Sequence, residues 1–317
     1  MSRILLTAVG SMAAAPAARR YQALGHTVFG CDIYPREWTA LAGELEFFQA
    51  RLATKGEPYV EQLKEAVRRN GLDFLIPLTD PEVDALAPRK AEFRALGCTV
   101  CVPEERVAAL CRRKDTMNRF LAEKQVCRLI PTEIAVSGQP CPFPFPAMVK
   151  PRSGRSSLGQ AVAADEKSYQ TALAGREDCI VQPFLEGDIF CVDVARDAFG
   201  HTRAAARQEL LRNKSGLGMT VEVLPGHPLE AVCAAIAEAV GLVGVVNMEF
   251  IRHGDDFFFL EVNPRFSGGV GFSMAAGMDF AEMMLCCHSC GSVEAFPAAP
   301  KHALLARESA IVLTQLR

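Results

Sequence analysis

The sequence has no surplus of either charge: 34 Lys and Arg stand against 37 Asp and Glu, a formal net charge of -3 over 317 residues. So balanced a chain lacks the basic footprint of a nucleic-acid binder. It has no apolar run near the roughly 20 residues needed to span a bilayer, so no membrane partner is expected. It has no internal repeat and no low-complexity segment, which excludes solenoid and compositionally disordered classes. The turn after the first apolar run offers Gly10 but no G-x-G-x-x-G, so a nicotinamide dehydrogenase is poorly supported. The 12 cysteines follow no framework. Cys191, Cys233 and Cys286 sit in apolar runs, where Cys behaves as a small hydrophobe, and this fits a reducing cytoplasm. Cys286-Cys287-His288-Ser289-Cys290 lacks a second ligand pair at zinc spacing, so structural cysteines are expected there. The N-terminal MSRILLTAVGSMAAAP imitates an export signal, but Gly10 and Ser11 break its apolar core and it runs on into a βαβ pattern. It reads as a strand and a helix of a cytoplasmic protein.

What is present is alternation. Strand patterns at Arg3–Val9, Thr27–Ile33, Phe74–Pro77 and Gly97–Val102 are interleaved with helical ones at Ala13–Leu24, Tyr59–Asn70 and Asp84–Leu96. This predicts a parallel, doubly wound sheet, and the length allows two or three domains. Pro103–Arg128 is helical and basic, and Arg128–Pro146, with five prolines, is a connector. Beyond it the pattern is strand-rich: Phe145–Lys150, Gln160–Ala163, Cys179–Phe184, then Ile189–Arg196 and Arg203–Leu210 around Gly200. Helices are expected at Glu166–Leu173, Pro228–Val240 and Phe280–His288, and a closing strand at Ala303–Leu313.

The chemistry gathers in Phe257–Gly269, FFFLEVNPRFSGG. The strand presents Glu261 and Asn263 on one face, two positions apart, before Pro264 ends the ladder and Arg265 follows. Gly244–His253 is a second apolar strand carrying Glu249. A three-residue loop, Gly254-Asp255-Asp256, would set Glu249 directly opposite Glu261. Like charges so placed destabilise a ladder by up to roughly 1 kcal/mol, and a bound divalent cation reverses the sign. The plainer reading is a solvated strand face with two unrelated acids. Lys150 ends an apolar strand, and the Gly/Ser-rich Pro151–Gly159 follows as a flap whose N–H groups can wrap phosphate oxygens; no Gly-Lys-Ser/Thr opens a helix there. Asp32 and Thr79-Asp80 follow strand ends, as cleft residues or as turn-forming acids.

In order along the chain, Lys114, Lys150, PRSGRSSLG, VQPFLEG, Arg207, NMEF and LEVNPR resemble the ATP-grasp superfamily. FLIPLTDPEVDALA followed by CRRKDTMNRFLAEKQV is similar to its carbamoyl-phosphate-synthetase-like branch of carboxylate–amine ligases, which includes amino-acid ligases. The resemblance implies an α/β and α+β architecture: an N-terminal doubly wound parallel sheet (1–112), then a two-lobed ATP-grasp fold with a lid (113–182) and a large lobe bearing the metal site (183–317). It implies ATP-driven formation of an acyl phosphate from a small, amino-acid-like carboxylate, attack by an amine, and release of ADP and phosphate. It assigns Mg²⁺, two ions with Mn²⁺ able to substitute, to Glu249, Glu261 and Asn263. ATP falls to Lys114 and Lys150, to Ser153, Gly154, Ser156 and Ser157 of the flap, and to the hinge Gln182, Pro183, Phe184 and Leu185. Arg265 and Arg207 take the γ-phosphate or acyl phosphate. Relatives suggest a homodimer. The chain departs from the pattern at several points. Ile189 stands where the ribose-binding acid belongs, with Asp188 or Glu186 as stand-ins. Pro183 removes a hinge donor, and Arg155 enters the flap. Glu209 replaces a second arginine beyond Arg207, with Arg212 and Lys214 nearby. These departures imply altered substrate recognition, and they keep a non-catalytic nucleotide-binding protein as the alternative.

Overall fold

A computed structural model describes residues 1–154 and 158–315. The N-terminal unit is built on β1 (Arg3–Leu6), β2 (Thr27–Asp32), β3 (Glu46–Gln49), β4 (Phe74–Ile76) and β5 (Thr99–Val100), with α1 (Ala14–Ala23), α2 (Glu57–Asn70), α3 (Asp80–Leu86) and α4 (Lys90–Arg94). The strands run parallel in the order β3-β2-β1-β4-β5. Ile4, Leu5 and Leu6 are buried on both faces, as a central parallel strand requires. α2 begins at Glu57 with Pro58 behind it and ends where Gly71 takes the left-handed conformation. The helix expected over Asp84–Leu96 is instead two short ones. Thr79 caps α3 four residues early through a capping box with Glu82, and a 3₁₀ turn around Pro88 separates it from α4.

The chain continues through α5 (Glu105–Arg112), α6 (Lys114–Lys124), β6 (Arg128–Leu129), β7 (Glu133–Ala135), β8 (Ala147–Pro151), β9 (Ala161–Ala163), α7 (Glu166–Leu173) and β10 (Cys179–Pro183). The proline-rich connector thus carries two short strands that go to different sheets. β7-β10-β8-β9 form an antiparallel four-stranded sheet with its own core, in which Val149 and Val181 meet Tyr169 and Leu173 of α7.

The remaining elements are β11 (Asp188–Arg196), β12 (Thr202–Arg212), β13 (Gly218–Val223), α8 (Pro228–Val240), β14 (Gly244–His253), β15 (Asp256–Asn263), α9 (Val270–Ala275), α10 (Phe280–His288) and β16 (Ala303–Ala306). They form a seven-stranded sheet, β16-β13-β12-β11-β14-β15-β6. The closing strand stops at Ala306, short of the expected Leu313. Even-numbered positions of β14 (Val246, Met248, Phe250) pack under α5, α6 and α8. The odd-numbered Val245 faces the opposite core, with α1 and α10. Period-two alternation therefore sends the next odd positions, Asn247 and Glu249, to the side where the N-terminal unit docks.

Candidate active site

β14 and β15 bring the two carboxylates together by a different route from the expected loop. The turn is the two-residue Gly254-Asp255, with His253 paired to Asp256, and that register would put Leu260 opposite Glu249. A bulge at Leu260 absorbs one residue, so Glu249 pairs with Glu261 and Asn247 with Asn263. The Asn263 amide lies 3.3 Å from Glu249 Oε1 and 3.4 Å from Glu261 Oε1. Lys114, the first residue of α6, reaches Glu261 Oε2 at 3.0 Å, while Arg212 Nη2 comes within 3.7 Å of Glu249 Oε2. Burial, and then the charge of Glu261, push the Glu249 carboxyl up to about 7. Burial also acts on Glu261, but Lys114 and Lys150 outweigh it and hold that carboxyl below its ordinary value. Burial brings the Lys150 ammonium down to about 8 against the pull of Glu261.

The donor set suits a hard cation: two carboxylates and an amide on one strand pair. Asn263 presents its Nδ2 to the carboxylates and its Oδ1 to Arg265 at 3.4 Å, so it would ligate after a half-turn of the amide. Among the described residues no three of His, Cys, Asp and Glu gather at one point. Phosphate oxygens would have to complete the coordination shell, which is the usual way Mg²⁺ is held beside a nucleotide.

Two cavities meet at this pair. A slot of about 240 Å³ lies between the four-stranded and seven-stranded sheets, walled by Ile130, Met148, Leu185 and Ile251, with Lys114 and Lys150 at its polar end. A second cavity, of about 500 Å³, opens toward the N-terminal unit past Asp80, Arg207 and Arg265. Leu158, Arg212, Glu249 and Glu261 line both. An apolar slot ending in two lysines fits a base and its phosphates, and the carboxylates lie where the last phosphate would enter the second cavity.

Most of the expected nucleotide residues converge on the slot: Lys114, Lys150, Gly154, Gln182, Pro183, Phe184 and Leu185 line it. Ser153 is not among the lining residues, and Arg155, Ser156 and Ser157 lie outside the described residues. Phe184 N–H donates to Pro146 O at 3.1 Å, so the hinge loses this donor in addition to the one Pro183 lacks. Asp188 does not take the ribose position. Strand alternation turns Ile189 into the slot and Asp188 out of it, where it pairs with Arg252. The only carboxylates among the described residues of the slot are Glu249 and Glu261.

The two arginines expected to take the γ-phosphate or acyl phosphate are both paired with buried acids. Arg207 is 1% exposed, pairs with Asp193 at 2.6 Å and donates to Ser267 and Ser273. Burial opposes its charge, but Asp193 outweighs that and raises its pKa. Asp193 is thereby committed to Arg207. A Cβ on Gly269 would come within 2.7 Å of Arg207 Nη2, which accounts for the glycine. Arg265 forks onto Asp80 through Nε at 2.9 Å and Nη2 at 3.0 Å, tying the loop after β15 to α3. Arg212, noted in the sequence only as a cation near Glu209, lines both cavities and lies beside Glu249. Register shifts between Glu209 and Arg212 disturb the β12–β13 ladder, so simple alternation could not have placed it at the seam. Glu209 is also sealed, its side chain 3% exposed between Arg207 and Arg212.

Residues 175–309 match the model of a family described as ATP-grasp in the biosynthetic pathway with Ter operon. A formate-dependent phosphoribosylglycinamide formyltransferase of Synechococcus sp. (strain CC9605) is 26% identical over 234 residues, which are 65% of this chain and 56% of that protein. The chain thus spans little more than half the length of this relative. Among solved structures, the biotin carboxylase domain of Hydrogenobacter thermophilus 2-oxoglutarate carboxylase, in complex with MgADP, superposes with a TM-score of 0.74 at 16% identity. The match covers 91% of this chain and 70% of that one. The L-amino acid ligase from Bacillus licheniformis gives a TM-score of 0.70 at 14% identity, over 90% and 73% of the two chains. At these identities the likeness to the solved structures is one of fold.

Proposed function

We propose that the chain, whose residues 175–309 match an ATP-grasp family model, is an ATP-grasp enzyme, an ATP- and Mg²⁺-dependent carboxylate–amine ligase acting on small, amino-acid-like substrates. The observation that carries the reading is the Glu249–Glu261 pair at the seam of two cavities, one shaped for a nucleotide and one left for substrates. The MgADP bound by the similar 2-oxoglutarate carboxylase domain supports the choice of nucleotide and metal.

Lys114 and Lys150 neutralise the phosphate chain, and the hinge Gln182–Leu185 borders the base. Glu249, Glu261 and Asn263 would hold Mg²⁺, which supplies charge neutralisation on the β- and γ-phosphate oxygens. The substrate carboxylate attacks the γ-phosphorus, the bond to the β-bridging oxygen breaks, and ADP leaves. Arg212, at the seam, faces the transferred group, and Arg207 supplies a fixed positive charge behind it. The amine then forms the C–N bond, phosphate departs with the C–O electron pair, and the amine loses a proton. No protein nucleophile is needed; position and charge do the work. Within the proposed division at 112/113 and 182/183, the four-stranded sheet is the part placed to close over the nucleotide.

The want of a ribose-binding acid among the described residues of the slot favours one rival, a nucleotide-binding protein without turnover. ADP release with Mg²⁺ over a panel of small acids and amines separates the two, with hydroxylamine added to trap the acyl phosphate as a hydroxamate. Acid-dependent ADP release and a hydroxamate are expected. Nucleotide binding with no release over the whole panel would leave the rival standing.

A further inference from the structure

We propose that a third cavity, at the C-terminal ends of the five-stranded sheet, is a subsite for a bulky apolar side chain, uncharged or cationic, carried by one of the two substrates. The inference rests on the ligase reading for its word substrate, but the cavity's chemistry stands on its own. The cavity measures about 470 Å³ and shares Ser11 and Thr79 with the substrate cavity at the metal-binding pair. A molecule reacting at Glu249 and Glu261 could therefore extend into it past Ser11 and Thr79.

Its walls set the class of group. Ile33, Tyr34, Trp38 and Leu52 line it and are 40%, 52%, 70% and 48% exposed, a concentration of large apolar side chains that a surface rarely leaves uncovered. Tyr34 and Trp38 stack with centroids 6.1 Å apart and planes at 28°, presenting a flat aromatic wall. Among its described lining residues there is no Lys or Arg. The two acids that reach it are already engaged. Asp32 accepts the N–H groups of Gly10 at 2.8 Å and Tyr34 at 3.2 Å, and Glu82 accepts from the Thr79 N–H at 3.0 Å and its hydroxyl at 2.7 Å. A phosphate or carboxylate would find acids and no counter-charge there. An aromatic or branched aliphatic group finds a matching wall, and a nearby ammonium finds favourable charge. At the junction, Ser11 Oγ is buried without a hydrogen-bond partner, a polar atom set where the chain of a ligand would pass.

Trp38 is the sole tryptophan of the chain, so its emission reports on this site alone. The full-length protein, free of nucleotide, is titrated with phenethylamine and isoamylamine, and with ethylamine and phenyl phosphate as controls. A saturable change in emission is expected with the two bulky amines, and binding at least about ten-fold weaker with both controls. By calorimetry, Trp38→Ala should weaken phenethylamine about ten-fold while leaving the affinity for a non-hydrolysable Mg-nucleotide unchanged. Absence of a saturable change, or phenyl phosphate binding as well as phenethylamine, overturns the subsite. Trp38 response without ADP release on any acid panel keeps the subsite and removes the ligase reading. ADP release that is indifferent to the bulk of both substrates does the reverse.

Discussion

Glu261 has the Lys114 ammonium at 3.0 Å, whereas the nearest cation to Glu249 is Arg212 at 3.7 Å, and burial leaves Glu249 near 7. The two carboxylates should therefore respond differently to the same substitution. Glu249→Gln removes a charge that its surroundings disfavour, so apo stability should hold or rise. Glu261→Gln strands a buried Lys114 and should cost about 2 kcal/mol. Both should lose most of the stabilisation by Mg-nucleotide, about 2.7 kcal/mol for wild type at one hundred times Kd. Thermal melts with and without Mg²⁺ and an ATP analogue test this; a full ligand shift in Glu249→Gln would remove that residue from the metal site. Lys150 adds a pH signature. Its ammonium titrates at about 8 in the fold and at the ordinary 10.5 when unfolded. Between those values the unfolded chain binds more protons, so stability rises with pH, and below about 8 the cost of the buried charge is fully present. Nucleotide phosphates favour the charged form, so affinity should fall as pH rises past 8. Lys150→Met should bind more weakly at pH 7 and show a flat profile, by calorimetry; a parallel decline in wild type and mutant would assign the dependence elsewhere. That Glu249, Glu261 and Lys150 gather at one cavity was legible in the sequence, because strand alternation and motif order both point to it. The Arg265–Asp80 fork was not, since 185 residues separate its partners and no local pattern encodes it.

At the scale of elements, the connection from β10 to β11 is the tightest point near the slot. A Cβ placed on Gly187 would overlap the Arg252 carbonyl of β14, and backbone cannot move aside as a side-chain tip can. Gly187→Ala should destabilise by about 3 kcal/mol in urea melts, against a change within about 0.5 kcal/mol for Gly43→Ala, whose Cβ meets nothing. Equal effects would mean that β11 and β14 can separate without cost. The long elements were readable because they repeat a period often enough: β11, β14, α2 and α8 all lie where their apolar spacing predicts. β3, β13 and α9 were missed. The four residues of β3, EFFQ, carry no alternation, β13 opens on a glycine, and α9 is six residues among glycines. The bulge at Leu260 is a subtler case. The Glu249–Glu261 pairing was anticipated from a loop one residue too long, and the bulge supplies the residue that the real turn lacks.

The whole molecule divides by its cores rather than by its sequence order. One apolar core runs from α1 through α9 and α10 to the seven-stranded sheet, joining the N-terminal unit to the large lobe. Tyr21 Oη donates to Ala281 O at 2.8 Å and Arg20 pairs with Asp279 at 2.6 Å across the same boundary. The four-stranded sheet has a separate core, and its link to the rest includes the slot proposed for the nucleotide, a cavity rather than a packed seam. Calorimetric scans of the ligand-free protein should therefore show two transitions. The smaller, from about 50 residues, should carry roughly 35 kcal/mol and melt first. A non-hydrolysable ATP analogue with Mg²⁺ touches both sides of the slot and binds only when both are folded. It should raise the smaller transition until the two merge, by an amount that grows with ligand concentration. A single transition without ligand would make the four-stranded sheet an integral part of the large lobe and remove the argument for closure. If two transitions persist and saturating Mg-nucleotide moves only the larger, the nucleotide does not occupy the slot between the sheets, and the assignment of Lys150 and the hinge falls with it.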